Sequence, residues 1–107
     1  MVINQYDILL VNLDTTQGSE IKKTRPCVVI SPNEMNFHLN TIIIAPLTST
    51  TKTYPTRIPI NFQNKKGAIS IDQIRTIDKK RVLKVMDQLD QKLIIECKNI
   101  IRETFVD

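Results

Sequence analysis

The stretch Gly18-Ser19-Glu20-Ile21-Lys22-Lys23-Thr24-Arg25-Pro26 runs directly into the apolar Cys27-Val28-Val29-Ile30. The β-branched run after the proline reads as a buried strand, and the polar segment before it reads as a loop. A guanidinium therefore stands at the mouth of the strand. Pro26 fixes its own φ and biases Arg25 toward extended backbone, which gives the charge a set direction. An arginine held this way suits an anion, because its planar fork can bind two phosphate oxygens at once.

Outward from this point, further short β-branched runs at residues 8–13, 41–45, 57–62 and 68–71 join 27–30 as predicted strands. Turn and loop clusters at residues 14–19, 31–36, 48–53 and 63–67 separate them, at the spacing of a small, strongly bent sheet or barrel. Ile42-Ile43-Ile44 is continuous rather than alternating, as expected of a central strand covered on both faces. The period then changes. Leu93, Ile94, Cys97, Ile100, Ile101 and Phe105 recur at helical spacing behind Asp90, a good N-cap, so a C-terminal helix is expected over residues 91–104. The fold class is mainly β with helices (α+β). No repeat, low-complexity tract or linker divides residues 1–107, which read as a single domain.

At 107 residues the chain can bury roughly 60–70% of the surface its unfolded form exposes, a modest core. Its 41% hydrophobic and 24% charged content are those of a globular protein. No segment approaches the ~20 apolar residues of a membrane span, and no basic segment followed by an apolar one marks a secretory signal. A cytoplasmic protein is expected. The formal charge of +4 favours polyanionic partners, since lysine and arginine displace counterions condensed on a phosphate backbone. The single histidine, His38, excludes a paired-histidine ribonuclease within one chain. Glu20, Asp72 and Asp78 are scattered and no Cys/His spacing fits zinc, so no metal or other cofactor is expected. Cys27 and Cys97 both sit in apolar settings and read as buried free thiols. Phe37, Tyr54 and Phe62 could each hold one base, although core or loop packing is the favoured reading for them.

The Gly18–Pro26 segment resembles the MazF/PemK toxins of toxin-antitoxin systems, in which a G-S-E loop, an R-P step and a hydrophobic strand lead into the active site. Tyr6-Asp7-Ile8-Leu9, Pro46-Leu47-Thr48-Ser49 and Asp72-Gln73-Ile74-Arg75-Thr76-Ile77-Asp78 match the same family in the same order. The resemblance implies an SH3-like small β-barrel with a C-terminal α-helix, acting as a dimeric toxin: homodimers with a shared groove are the family's form. It further implies a sequence-specific, metal-independent endoribonuclease that cleaves single-stranded messenger RNA. A 2′-hydroxyl attack would leave a 2′,3′-cyclic phosphate and a 5′-hydroxyl. The implied partner is a cognate antitoxin with an acidic flexible segment, and any DNA binding would come only through it. The alternative is a non-catalytic toxin or binding module of the same barrel, such as a DNA gyrase poison.

By this resemblance Arg25 and Thr48 are the catalytic pair. Arg25 would neutralise charge growing on the phosphoryl oxygens, and Thr48, at a strand end, would donate its hydroxyl. RNA contacts are expected from Gly18, Ser19, Glu20, Lys22 and Lys23 in the first loop and from Ser49 and Lys52 in the second, because recognition is usually built on loops around a rigid scaffold. Ser70, Asp72 and Gln73 are further expected RNA-binding residues. Some relatives carry arginine at the position of Ser70, so that segment is assigned binding only. Lys79, Lys80 and Arg81 read as a surface cluster.

Overall fold

The computed structural model describes residues 1–13, 24–49 and 53–107. Among these, the strands β1 (Asp7–Asn12), β2 (Thr24–Val29), β3 (Thr41–Thr48), β4 (Arg57–Phe62), β5 (Lys65–Ser70), β6 (Arg75–Asp78) and β7 (Val82–Gln88) form one curled sheet. Its order is β4-β5-β3-β2-β1-β7, with β6 also pairing β3. Every pairing is antiparallel. A short helix α1 (Asn33–His38) joins β2 to β3, and α2 (Gln91–Ile101) follows β7. No described helix is long and apolar enough to cross a membrane.

The eight residues of β3 organise the barrel. One edge pairs with β2 through Val29↔Ile44, Val28↔Ala45 and Cys27↔Pro46. The other edge is shared, β6 taking Thr41 to Ile44 and β5 taking Leu47 and Thr48. Pro46 falls in the gap between these two partners, a place in a central strand where a missing N–H leaves no ladder bond broken. Successive side chains point to opposite faces, and both faces are filled. Ile8, Val28, Ala45, Ile58, Ile69 and Ile71 form one core, against which Leu93, Ile94, Ile100 and Ile101 of α2 pack. Leu9, Val11, Cys27, Val29, Ile42, Ile44 and Ile77 form a second. The covering of the central strand on both faces is thus achieved within one chain.

Asp90 caps α2 as its sequence position suggests, its Oδ1 accepting from Leu93 N at 2.9 Å. The α-helix ends earlier than expected, at Ile101, and a wider π-type turn spans Arg102–Val106. That change of period takes Phe105 off the apolar stripe and leaves it 54% exposed. Two other expectations are corrected. The loop read at residues 31–36 is largely the helix α1, anchored by Asn36 Nδ2 donating to the Ser31 carbonyl at 2.9 Å, while Ser31 Oγ accepts from Ile43 N at 3.0 Å. The residue 63–67 loop is a tight hairpin: Gln63 and Asn64 adopt positive φ (52° and 62°) and β5 begins at Lys65.

Candidate active site

The backbone chemistry of two prolines opens the site. Ile30 N donates to Ile43 O at 2.8 Å, which sets the alternation of hydrogen-bonded pairs along β2 and β3. Val28↔Ala45 continues it, and the next such pair would be Pro26 with Leu47. Pro26 has no N–H to give. The recorded β2–β3 register stops at Cys27↔Pro46, and β3 turns to β5 through Leu47↔Ile69 and Thr48↔Ala68. Extending the β2–β3 register two residues further places Arg25 across from Thr48, on the two sides of the parting.

A cleft of about 250 Å³ lies there, lined by Arg25, Pro26, Leu47, Thr48, Ser49 and Ile60 together with the hairpin residues Phe62, Gln63, Lys65, Lys66 and Gly67. Arg25, Lys65 and Lys66 are exposed cations, and among the described residues no Asp or Glu lines the cleft. Gly67 is what allows β5 to seat against β3, because a Cβ at that position would stand 2.5 Å from the Thr48 carbonyl oxygen. Below Arg25, the Cys27 thiol donates to the Arg25 carbonyl oxygen at 3.5 Å. Burial pushes this thiol up to about 12, against the pull of Arg25 and Arg75, so it stays a neutral packing group. Among the described residues the one ion pair is elsewhere, between Arg57 and Asp72, and no His, Cys, Asp or Glu side chains gather in a group that could hold a metal ion.

The structure brings Arg25, Thr48 and Ser49 together on one cleft. Gly18, Ser19, Glu20, Lys22, Lys23 and Lys52 lie outside the described residues. The Ser70–Gln73 segment is placed differently. Register Arg57↔Ser70 puts it at the far end of the β4–β5 ribbon from the hairpin, and none of its residues lines the cleft. Ser70 has no exposed surface, its hydroxyl lying at the buried end of the strand. Asp72 is occupied. Its Oδ1 accepts from Arg57 Nε at 2.7 Å and from Thr56 Oγ1 at 2.9 Å, and its Oδ2 accepts from Arg57 Nη2 at 3.1 Å. The Arg57 hydrogen bond holds the carboxyl down at about 2. Gln73 is exposed and clear of the cleft.

Sequence reasoning missed the hairpin side chains. Lys65, Lys66 and Gly67 sit in a segment read as a plain turn, and their approach to Thr48 depends on the β3–β5 register. The available signal was the pair of lysines beside one of only two glycines in the chain.

Fold and cleft together define a small β-barrel protein with a cleft flanked by basic side chains at a parted strand ladder. The profile of the PemK-like, MazF-like toxins of type II toxin-antitoxin systems matches residues 4–105, and the chain belongs to this family. It is 33% identical over 104 residues to the endoribonuclease MazF of Staphylococcus epidermidis, a match covering 92% of this chain and 87% of that one. The MazE-MazF structure from Deinococcus radiodurans has a TM-score of 0.83 at 21% identity, covering 96% of this chain and 95% of that chain. An endoribonuclease in complex with its cognate antitoxin, from a mycobacterial species, has a TM-score of 0.80 at 17% identity, covering 94% and 92%. At such identities the structural likeness establishes the shared fold.

Proposed function

We infer that this protein is an endoribonuclease, the toxin of a type II toxin-antitoxin pair, cutting single-stranded RNA in the cytoplasm without a metal ion. The observation that carries the reading is the convergence of Arg25 and Thr48 from two parted strands onto one cationic cleft. In this mechanism the 2′-hydroxyl of the RNA attacks the adjacent phosphorus and loses its proton as the new P–O bond forms. The bond to the 5′-oxygen breaks, that oxygen takes up a proton, and the products are a 2′,3′-cyclic phosphate and a 5′-hydroxyl. Arg25 offers two N–H groups to the phosphoryl oxygens where charge accumulates, and the Thr48 hydroxyl supplies a third donor. Donors fixed in advance at such a site are each worth ~10²- to 10³-fold in rate.

The family and the antitoxin-bound relative support a partner that silences this cleft. An acidic segment of that antitoxin, folding as it binds, fits a chain of net charge +4. A homodimer is part of the same reading. The test is incubation of the purified protein with a long defined RNA in EDTA, with mapping of the ends produced. Cleavage to cyclic phosphate ends is expected, and Arg25→Ala should fold normally yet cut at least ~10²-fold more slowly. A folded Arg25→Ala protein with near-normal activity would sink the mechanism, and a wild-type protein inert on RNA would favour a non-catalytic toxin.

A further inference from the structure

We propose that the β4–β5 hairpin builds a nucleobase subsite beside Arg25 and Thr48, with Phe62 stacking on one base and Lys65 and Lys66 holding the phosphates that flank it. The proposal rests on single-stranded RNA being the substrate. It begins from the pleat of β4. Ile58, Ile60 and Phe62 share one face, where Ile69, Gly67 and Lys65 stand directly across from them. Ile58 and Ile69 close the inner end in the core. At Ile60↔Gly67 the Thr48 carbonyl oxygen takes the place a side chain would fill, which brings this ribbon against Thr48, and beyond it Phe62 is only partly covered while lining the cleft.

Phe62 packs against the core on one side, and its place in the cleft distinguishes it from the other aromatic candidates. Tyr54 is already under the Arg57 guanidinium, 5.3 Å from its ring centroid, and Phe37 lies on α1, outside the cleft. Pro26, Leu47 and Ile60 give the cleft an apolar floor, which suits the flat face of a base and offers little to a free phosphate. Among the described residues its rim carries three cations and no carboxylate, which favours a polyanion over a neutral aromatic ligand. The volume, about 250 Å³, falls below the roughly 300 Å³ at which pockets for drug-sized ligands begin, a size that suits a single base with its phosphates on the rim. A base in this position must be unstacked from its neighbours, which only a single strand allows cheaply.

Because the chain contains no tryptophan, Phe62→Trp installs a single fluorescent reporter at the subsite. The full-length variant, confirmed as folded by circular dichroism, is titrated with a mixed-sequence 2′-O-methyl RNA, which binds but has no free 2′-hydroxyl to attack. Stacking should quench the introduced tryptophan, and an abasic oligonucleotide of the same length should leave it unchanged. In parallel, Phe62→Leu should raise KM for RNA about 5- to 100-fold, the range of one base–aromatic stack. Lys65→Gln with Lys66→Gln should lower the salt slope of RNA binding by about 1 to 2. RNA binding detected by anisotropy without quenching would overturn the subsite, as would an unchanged KM and cut pattern in Phe62→Leu. Quenching in a protein that cuts no RNA would support the subsite and count against the endoribonuclease reading alone.

Discussion

Replacing Gly67 by alanine places one methyl group against the backbone of a proposed catalytic residue. The added Cβ would lie 2.5 Å from the Thr48 carbonyl oxygen, against 3.0 Å as the closest approach real Cβ atoms show and 3.4 Å for ordinary contact. One strand must therefore yield by about 0.5 to 0.9 Å, and both atoms belong to backbone that cannot rotate away. The φ of Gly67 is not in the left-handed region, so alanine pays no conformational penalty there and the effect comes from this contact alone. Overpacking of this kind costs about 1–3 kcal/mol. A domain with the usual stability of roughly 5–15 kcal/mol stays folded after such a loss. Activity should suffer more, because a misplacement of about 1 Å at a reacting group costs on the order of 10²-fold. Urea unfolding followed by single-turnover cleavage of a defined RNA separates the two effects. The expected result is a folded Gly67→Ala protein with a lowered denaturation midpoint and a cleavage rate reduced ~10- to 100-fold. Wild-type stability together with a wild-type rate would show that Thr48 is not held by this contact.

Three further outcomes are expected. Pro26→Ala supplies the N–H that the β2–β3 ladder lacks, so it should leave thermal stability equal or higher while slowing cleavage, and a faster enzyme would contradict the parted-ladder account. Asp72 has its carboxyl held at about 2 instead of 3.8 chiefly by the Arg57 hydrogen bond, so its stabilisation is complete above about pH 4 and is lost as pH falls toward 2. Asp72→Asn should then lower the urea midpoint at pH 7, slightly because the side chain is 36% exposed, and flatten its decline between pH 4 and 2; an identical pH profile would remove the pair from the stability account. Burial pushes the Cys27 and Cys97 thiols up to about 12, so native protein at pH 8 should resist alkylation, and stability should fall above about pH 9 as unfolded-state thiols ionise; rapid native labelling would contradict their burial.

The strands legible in the sequence are those whose side chains fill the two cores, such as 8–13 and 27–30, because burial on both faces leaves an unbroken apolar run. β7 escaped notice for the opposite reason. It is an edge strand with Leu83 and Val85 exposed, held to β1 through a register that shifts twice, so neither alternation nor continuity marks it. β6 has four residues and α1 six, too few to display a period. In the site, Arg25 and Thr48 were legible because each ends an apolar run, where a polar side chain has to point into solvent. The lysines of the hairpin were not, since nothing local to residues 63–67 says that they return to Thr48. The burial of Ser70 was not legible because its residue type is compatible with surface and core alike, and only the curl of β5 decides which.

The register that defines the barrel also defines the chemistry. Val28 and Ala45 share one core while Cys27, Val29 and Ile44 share the other, so a one-residue slip of β2 against β3 would exchange every side chain between faces. Both cores would oppose that slip. Arg25 and Thr48 lie only two residues beyond the last paired position, Cys27↔Pro46, so their mutual placement inherits this resistance even though neither is buried. The prolines convert that rigidity into an opening: Pro26 ends one ladder on the side where the cleft forms, and Pro46 occupies the gap where β3 changes partner. An open site flanked by fixed ladders holds its donors in place before substrate arrives, which is the condition under which fixed charges stabilise a transition state most. The residues that fix the fold of this chain are therefore the same few that fix the proposed placement of Arg25 and Thr48.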